Sequence, residues 1–226
     1  MLNLLIDFDG TVCDSAEGVL KSVEYALNKL GVSLDLSYSD LSVMFLGPPL
    51  SLPFGKIFNG DTDKVALAIE YFRERYNTLG VYENKLYDGV IDCLRDLKSE
   101  GVRACIASSK PDVFIKNILK RNNALDCFEE IFAPGLDGEN LSKHDIVVKA
   151  LDYVRTTDDN PQIYMVGDRK YDVEGAHLAE IPCIGVEWGY ADKNELVYHG
   201  AEYIVNDPRE LYALSIRLSV EGKCNE

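Results

Sequence analysis

Leu4-Leu5-Ile6-Asp7-Phe8-Asp9-Gly10-Thr11 decides the fold of this chain. A continuous run of Leu and Ile this near the N-terminus predicts a strand buried on both faces, as in a parallel sheet covered by helices. Two carboxylates follow at the strand's C-terminal end. Asp7 and Asp9 stand two positions apart, so in extended backbone their side chains point the same way and crowd one small volume. Gly10 allows a sharp turn and Thr11 adds a hydroxyl, so the strand stops there and presents acids at the rim of the sheet. In open α/β sheets that rim is where ligands bind. Taken alone, the stretch reads equally as a surface turn with two solvated acids. A calcium loop is excluded, because the places of its required Gly and Glu hold Val12 and Gly18.

The rest of the chain sets limits around that strand. Its 226 residues suit one domain, or one domain carrying an insertion. Hydrophobic residues at 46% and charged residues at 27% are ordinary for a folded globular protein. A net charge of -15 argues against a nucleic-acid or anionic-membrane partner, so any attraction for an anion must be local. The cysteines (Cys13, Cys93, Cys105, Cys127, Cys183 and Cys224) show no C-x-x-C spacing and read as reduced thiols. The N-terminus has no basic leader and no apolar run is long enough for a membrane span. A cytoplasmic protein, monomeric or homodimeric, is expected.

Residues 15–84 read as helical and without strands. Ser15 is expected to cap a helix through residue 30, with Val19, Val23, Ala26, Leu27 and Leu30 on its apolar face and Gly31 as its stop. A second helix is predicted over residues 61–79, closed by Gly80. Between them, the three prolines at 48, 49 and 53 predict a loop or a helix junction. From Tyr87 onward helices and strands alternate, with strands near 102–107, 131–133, 162–166, 183–186 and 203–205. Helices are predicted over 90–100, 111–120 and 143–154, after the Gly167 to Asp172 stretch up to 180, and from 208 to about 218. Alternation of this kind predicts a Rossmann-like, doubly wound parallel sheet formed by residues 1–14 and 85–226. Residues 15–84 then form a helical cap inserted after the first strand, over the sheet's active rim.

Four places at strand ends or helix starts carry candidate chemistry: Asp7 with Asp9, Ser108, Lys143, and Asp168 with Asp172 in Gly167-Asp168-Arg169-Lys170-Tyr171-Asp172. Their order and surroundings resemble the four motifs of the haloacid dehalogenase-like hydrolase superfamily, over essentially the whole chain. Gly47-Pro48-Pro49, Ser109-Lys110-Pro111 and Gly185-Val186-Glu187-Trp188-Gly189-Tyr190 resemble its phosphoglycolate phosphatase-like branch. Phosphoryl transfer needs positioning, charge neutralisation and an in-line nucleophile, and Asp7 is the candidate nucleophile, forming an aspartyl-phosphate. Asp9 is the candidate general acid and base. Acids crowded beside a phosphate dianion require a hard cation, so Mg²⁺ is the expected cofactor, with Asp7 and Asp168 as ligands. Asp172 would ligate through water or orient Asp168, and the resemblance implies that the Asp9 carbonyl also touches the metal. Ser108, Ser109, Gly10 and Thr11 form the candidate phosphate-binding set, and Lys143 would neutralise the nucleophile and the transferring group. Singly, Ser108 is as well read as a cap and Lys143 as a surface lysine.

Lys110 and Arg169 are read as peripheral. Arg169 also departs from the Ser or Thr usual after Gly-Asp in the superfamily. The aromatics Phe45, Phe54, Phe58, Tyr71, Phe72, Tyr76 and Tyr82 would stack on a nucleobase or, at helical spacing, form the core of the helical block. His144, His177 and His199 have no ligand spacing. An acid at position 9 suits a phosphatase or a phosphomutase, because it can protonate a departing alcohol, whereas dehalogenases of the superfamily lack it. A phosphatase acting on a small phosphorylated metabolite is the leading expectation and a sugar phosphomutase the second. A phospho-aspartate signalling module is a third reading from a different class, against which the inserted block and the late Gly-Asp-x-x-x-Asp argue.

Overall fold

The structure, a computed structural model, describes residues 1–136 and 141–223. Cys224 lies outside the described residues. Strand β1 (Leu2–Ile6) is buried along its whole length. The short β2 (Cys13–Asp14) pairs with β3 (Lys85–Leu86) in a separate two-stranded ladder. Between those two come α1 (Ala16–Lys29), α2 (Tyr38–Phe45), α3 (Ser51–Ile57) and α4 (Thr62–Tyr76). The chain then alternates: α5 (Val90–Ser99), β4 (Arg103–Ala107), α6 (Asp112–Arg121), β5 (Ile131–Phe132), α7 (Lys143–Thr157) and β6 (Gln162–Gly167). It ends with α8 (Lys170–Leu178), β7 (Cys183–Val186), α9 (Glu195–Tyr198), β8 (Tyr203–Val205) and α10 (Pro208–Lys223).

Six strands form one sheet in the order β5-β4-β1-β6-β7-β8, and every pairing in it is parallel. The fold is therefore α/β and Rossmann-like. β1 lies between β4 and β6, with Leu5 opposite both Cys105 and Met165. The chain runs out to one side through β4 and β5 and returns across β1 to continue at β6. At such a reversal open α/β sheets bind ligands beside the C-terminal end of the strand, the position that Asp7 occupies here. Leu5, Cys105 and Met165 belong to the same buried cluster as Ile146, Val147, Ala150 and Val154 of α7, so the helix carrying Lys143 is fixed to the sheet by its apolar face.

The chain divides into two compact units, Met1–Val12 with Leu86–Glu226, and Cys13–Lys85. Inside the second, α1 packs on α4. The buried face of α1 holds Leu20, Val23, Ala26 and Leu27, while Val19 and Leu30, expected on it, are half-buried. Ser15 occupies the N-cap position of α1 without a side-chain capping bond. The proline-rich stretch holds more helix than expected. Leu46 to Leu50 is the junction, but Pro53 is the third residue of α3, where a first-turn residue needs no amide hydrogen. The helix predicted over 61–79 ends at Tyr76, and Leu79 is exposed. Among the aromatics, Phe45 meets Phe54 edge to face at 5.1 Å and Phe72 stacks on Tyr76 at 5.2 Å, all four buried, whereas Tyr82 is exposed.

Cys13, Cys93, Cys105, Cys127 and Cys183 are free and buried. Burial pushes the Cys93 thiol up to about 12 and the Cys105 thiol up to about 11, which leaves both unreactive at neutral pH. No described helix is long and apolar enough to cross a membrane.

Candidate active site

The backbone N–H of Asp7 donates to the Val166 carbonyl at 2.9 Å, continuing the β1 to β6 ladder by one residue. Asp7 is thereby fixed as an extension of the strand. Gly10, at φ +88°, then turns the chain, and Thr11 Oγ1 donates to Asp168 Oδ1 at 3.2 Å. Only glycine fits at position 10, because a Cβ there would lie 2.1 Å from Asp168 Oδ2. Of the residues assigned to phosphate, Gly10 and Thr11 thus face Asp168 in this structure.

The carboxylates of Asp7, Asp168 and Asp172 each place an oxygen within 4.8 Å of the others. Asp168 and Asp172 are buried, and Lys143 lies between Asp7 and Asp172. Its Nζ lies 2.6 Å from Asp7 Oδ1 and 2.7 Å from Asp172 Oδ1, and donates to the Ala107 carbonyl at 2.9 Å. Lys143 is the first residue of α7, whose start is fixed by a capping box between Ser142 and Asp145. A cation at a helix N-terminus is unfavourable, and two carboxylates offset the cost.

Burial, then the nearby Asp172 and Asp7 charges, push the Asp168 carboxyl well above the usual carboxylate range. Asp172 is pushed up to about 6, chiefly by burial, with Lys143 opposing. Burial favours the neutral amine of Lys143, but Asp172 and Asp7 outweigh it and the ammonium is held more tightly than usual. Lys143 therefore pairs directly with two of the three carboxylates, Asp7 and Asp172. An all-oxygen donor set with surplus negative charge fits a hard divalent cation such as Mg²⁺. Asp172 already accepts from Lys143 through Oδ1 and from the Arg169 N–H at 3.0 Å through Oδ2. No histidine belongs to such a cluster among the described residues.

The turn after β4 carries Ser108, which is buried, and Ser109, which is exposed. The Ser108 N–H donates to the Phe132 carbonyl and the Asp112 N–H to the Pro134 carbonyl, both at 3.0 Å. Two backbone donors near the start of α6 therefore tie the turn to the segment around β5. The Ser108 hydroxyl accepts from the Lys110 N–H at 3.4 Å.

Two residues read as peripheral are built into the site. Lys110 is buried, and its Nζ lies 2.9 and 3.1 Å from the two oxygens of Asp9. The carboxylate of Asp9 accordingly stands with Lys110 and outside the three-carboxylate cluster, so of the expected metal ligands it is the one whose side chain is not brought there. Arg169 is buried too. Its Nε donates to Glu195 Oε1 at 2.9 Å, and the same oxygen accepts the Lys170 N–H at 2.8 Å.

Glu195, Trp188 and Tyr190 were not foreseen as parts of the site. The Tyr190 N–H donates to Asp168 Oδ2 at 2.7 Å, and Trp188 Nε1 donates to the Thr11 carbonyl at 3.0 Å. Between them, a Cβ at Gly189 would lie 2.2 Å from Asp168 Cβ. The Trp-Gly-Tyr run was visible only as part of a resemblance. Nothing in its spacing says that its backbone grips Asp168.

The family model of haloacid dehalogenase-like hydrolases matches residues 4–186. A 5'-nucleotidase of Pseudomonas aeruginosa is 35% identical over 200 residues, which cover 87% of this chain and 87% of that protein. The tyrosine-protein kinase PtkA of Mycobacterium tuberculosis is 34% identical over 187 residues, 83% of this chain and 62% of PtkA. The crystal structure of a predicted phosphatase from Clostridium acetobutylicum is similar at a TM-score of 0.86 and 39% identity, covering 95% of this chain and 98% of that one.

Proposed function

Because the chain belongs to the haloacid dehalogenase-like hydrolase family, we propose that it is a Mg²⁺-dependent phosphatase of small phosphate monoesters, working through an aspartyl-phosphate on Asp7. A phosphoglycolate-like compound or a 5'-nucleotide is the substrate class. The observation that carries this reading is Lys143 Nζ placed between Asp7 and Asp172 at 2.6 and 2.7 Å, at the open end of β1. An ammonium bound to one Asp7 oxygen holds the carboxylate in one orientation and directs the other oxygen toward a phosphorus atom.

In the first step an Asp7 oxygen forms a bond to phosphorus while the bond from phosphorus to the ester oxygen breaks, and Asp9 gives its proton to the departing alkoxide. In the second step Asp9 takes a proton from water. The water oxygen bonds to phosphorus, the acyl phosphate bond breaks, and phosphate leaves with Asp7 restored. Ser108 offers a hydroxyl to the phosphoryl oxygens. Asp7, Asp168 and Asp172 would hold Mg²⁺, with Thr11, Tyr190 and the Arg169 amide keeping the carboxylates oriented. Bound there, Mg²⁺ supplies the positive charge that lets a carboxylate approach a phosphate dianion.

The test is phosphate release from a panel of phosphoglycolate, 5'-nucleotides, pyrophosphate and sugar phosphates. Release from at least one ester should require Mg²⁺, stop with chelator, and be inhibited by Ca²⁺, whose larger and looser shell suits in-line transfer poorly. Full activity in metal-free buffer overturns the reading.

A further inference from the structure

We propose that Lys110 is a positioning residue, which fixes the Asp9 carboxylate where it can pass a proton to the leaving alcohol. This rests on the reading of Asp9 as acid and base. Lys110 Nζ bonds both Asp9 oxygens, at 2.9 and 3.1 Å, and two bonds define the plane of the carboxylate as well as its place. The side chain of Lys110 is 4% exposed and that of Asp9 28%, so the ammonium is the more enclosed of the two partners. The anchor continues into the sheet. Lys110 sits on the Ser108 turn, tied to the β5 segment through the Ser108 and Asp112 amides, and its Nζ lies 5.9 Å from the centre of the Phe8 ring.

The site therefore holds two acids by two lysines. Lys143 serves Asp7 from α7, and Lys110 serves Asp9 from the turn that also carries Ser108. Because Ser108 and Lys110 share one short turn, the hydroxyl offered to phosphate and the group that positions the proton donor keep a fixed separation. Misplacing a reacting group by about 1 Å costs on the order of 10²-fold in rate.

The experiment compares Lys110→Met, Lys110→Arg and Asp9→Asn on p-nitrophenyl phosphate and on the alkyl phosphate hydrolysed best in the panel. A nitrophenolate departs with little help from an acid, whereas an alkoxide needs it. Lys110→Met should lower kcat/KM for the alkyl ester about 10²-fold, toward the Asp9→Asn value, and leave kcat/KM for the nitrophenyl ester nearly unchanged. With the nitrophenyl ester kcat and KM should fall together, because the second step still lacks a well-placed base. Lys110→Arg, whose planar fork also binds both carboxylate oxygens, should recover most of the loss. In an Asp9→Asn background, Lys110→Met should cost nothing more.

Equal losses on both esters would make Lys110 a merely structural residue and overturn the proposal. A full further loss in the Asp9→Asn background would overturn it as well, by showing that Lys110 acts on the substrate directly. If Asp9→Asn alone slows both esters equally, the role of Asp9 itself falls, and that outcome is visible without any Lys110 variant. Should Lys110→Met not fold, Lys110→Gln, which keeps a donor, carries the same comparison.

Discussion

In the sheet-bearing unit, Asp7, Lys143, Asp168 and Asp172 are withdrawn from water at strand ends and helix starts. In Cys13–Lys85 the charges take the opposite course. Its least exposed ion pair, Arg75 with Glu83, keeps 15% and 24% of its side chains in solvent, and Arg75 also donates to Ser22 Oγ. The carboxyl shifts set the buried Asp168 and Asp172 pair apart from the Glu83 ion pair. Asp168 and Asp172 are pushed up, so the fold works against their ionised form, while Arg75 holds Glu83 below its ordinary range, so the fold favours it. Crowded, buried carboxylates are a cost to stability that a hydrophobic core would not incur. A fold retains such a cluster where it has chemistry to perform.

The largest effect that would break this contrast belongs to Asp7→Asn. It should lower turnover by at least about 10⁴-fold and abolish any phosphoenzyme, measured as a mass increase reversed by hydroxylamine. The fold should persist, because an amide still fits the ladder position. A phosphoenzyme in Asp7→Asn would move the nucleophile elsewhere.

Next comes Phe54→Ala in the helical unit. Phe54 is fully buried against Phe45, and its loss should cost about 3–5 kcal/mol by urea unfolding. The protein that remains folded should still phosphorylate Asp7. Loss of the phosphoenzyme from folded Phe54→Ala protein would show that this region's packing sets the chemistry as well.

The smallest effect sharpens the electrostatic side. Because Arg75 lowers the Glu83 carboxyl from its ordinary 4.5, the folded state holds that proton less tightly than the unfolded state. The resulting stability is complete above that ordinary value and is lost as pH falls through the lower folded value. Glu83→Gln should therefore reduce thermal stability at neutral pH by about 1 kcal/mol or less and flatten its decline in acid. An unchanged acid limb would place the pair among surface bridges with no measurable worth.

The fold class was legible because Leu4 to Ile6 of β1 and most of β6 and β7 are short apolar runs, the last two preceded by Pro161 and Pro182, a pattern that a doubly covered sheet explains. Short pieces were harder to read. α9 has four residues and no period, and α3 hides behind a proline that a first helical turn accepts. Leu79 continued an apolar spacing, although the helix had already ended at Tyr76. In the site, a sequence could suggest acids at strand ends, since alternation with helices makes the strands parallel and brings their C-terminal ends to one rim. It could not show where the side chain of Lys110 points, because a turn has no period to aim it. The bond between Arg169 and Glu195 joins residues 26 positions apart, with α8 and β7 between them, so neither residue advertised the other.

The crowding around Asp168 also makes the loss of catalysis a ratchet. While that carboxylate is present, a methyl group at position 10 or 189 would fall about 2 Å from its atoms, and neither glycine can be replaced. A descendant that exchanged Asp168 for a smaller residue would open both places to side chains. Position 189 should fill first, because Gly189 does not share the positive φ of Gly10. Once it is filled, restoring Asp168 alone no longer restores the site, since the carboxylate's place is taken. A relative with a side chain at either position should therefore have given up hydrolysis earlier, and one reverse substitution should not return it.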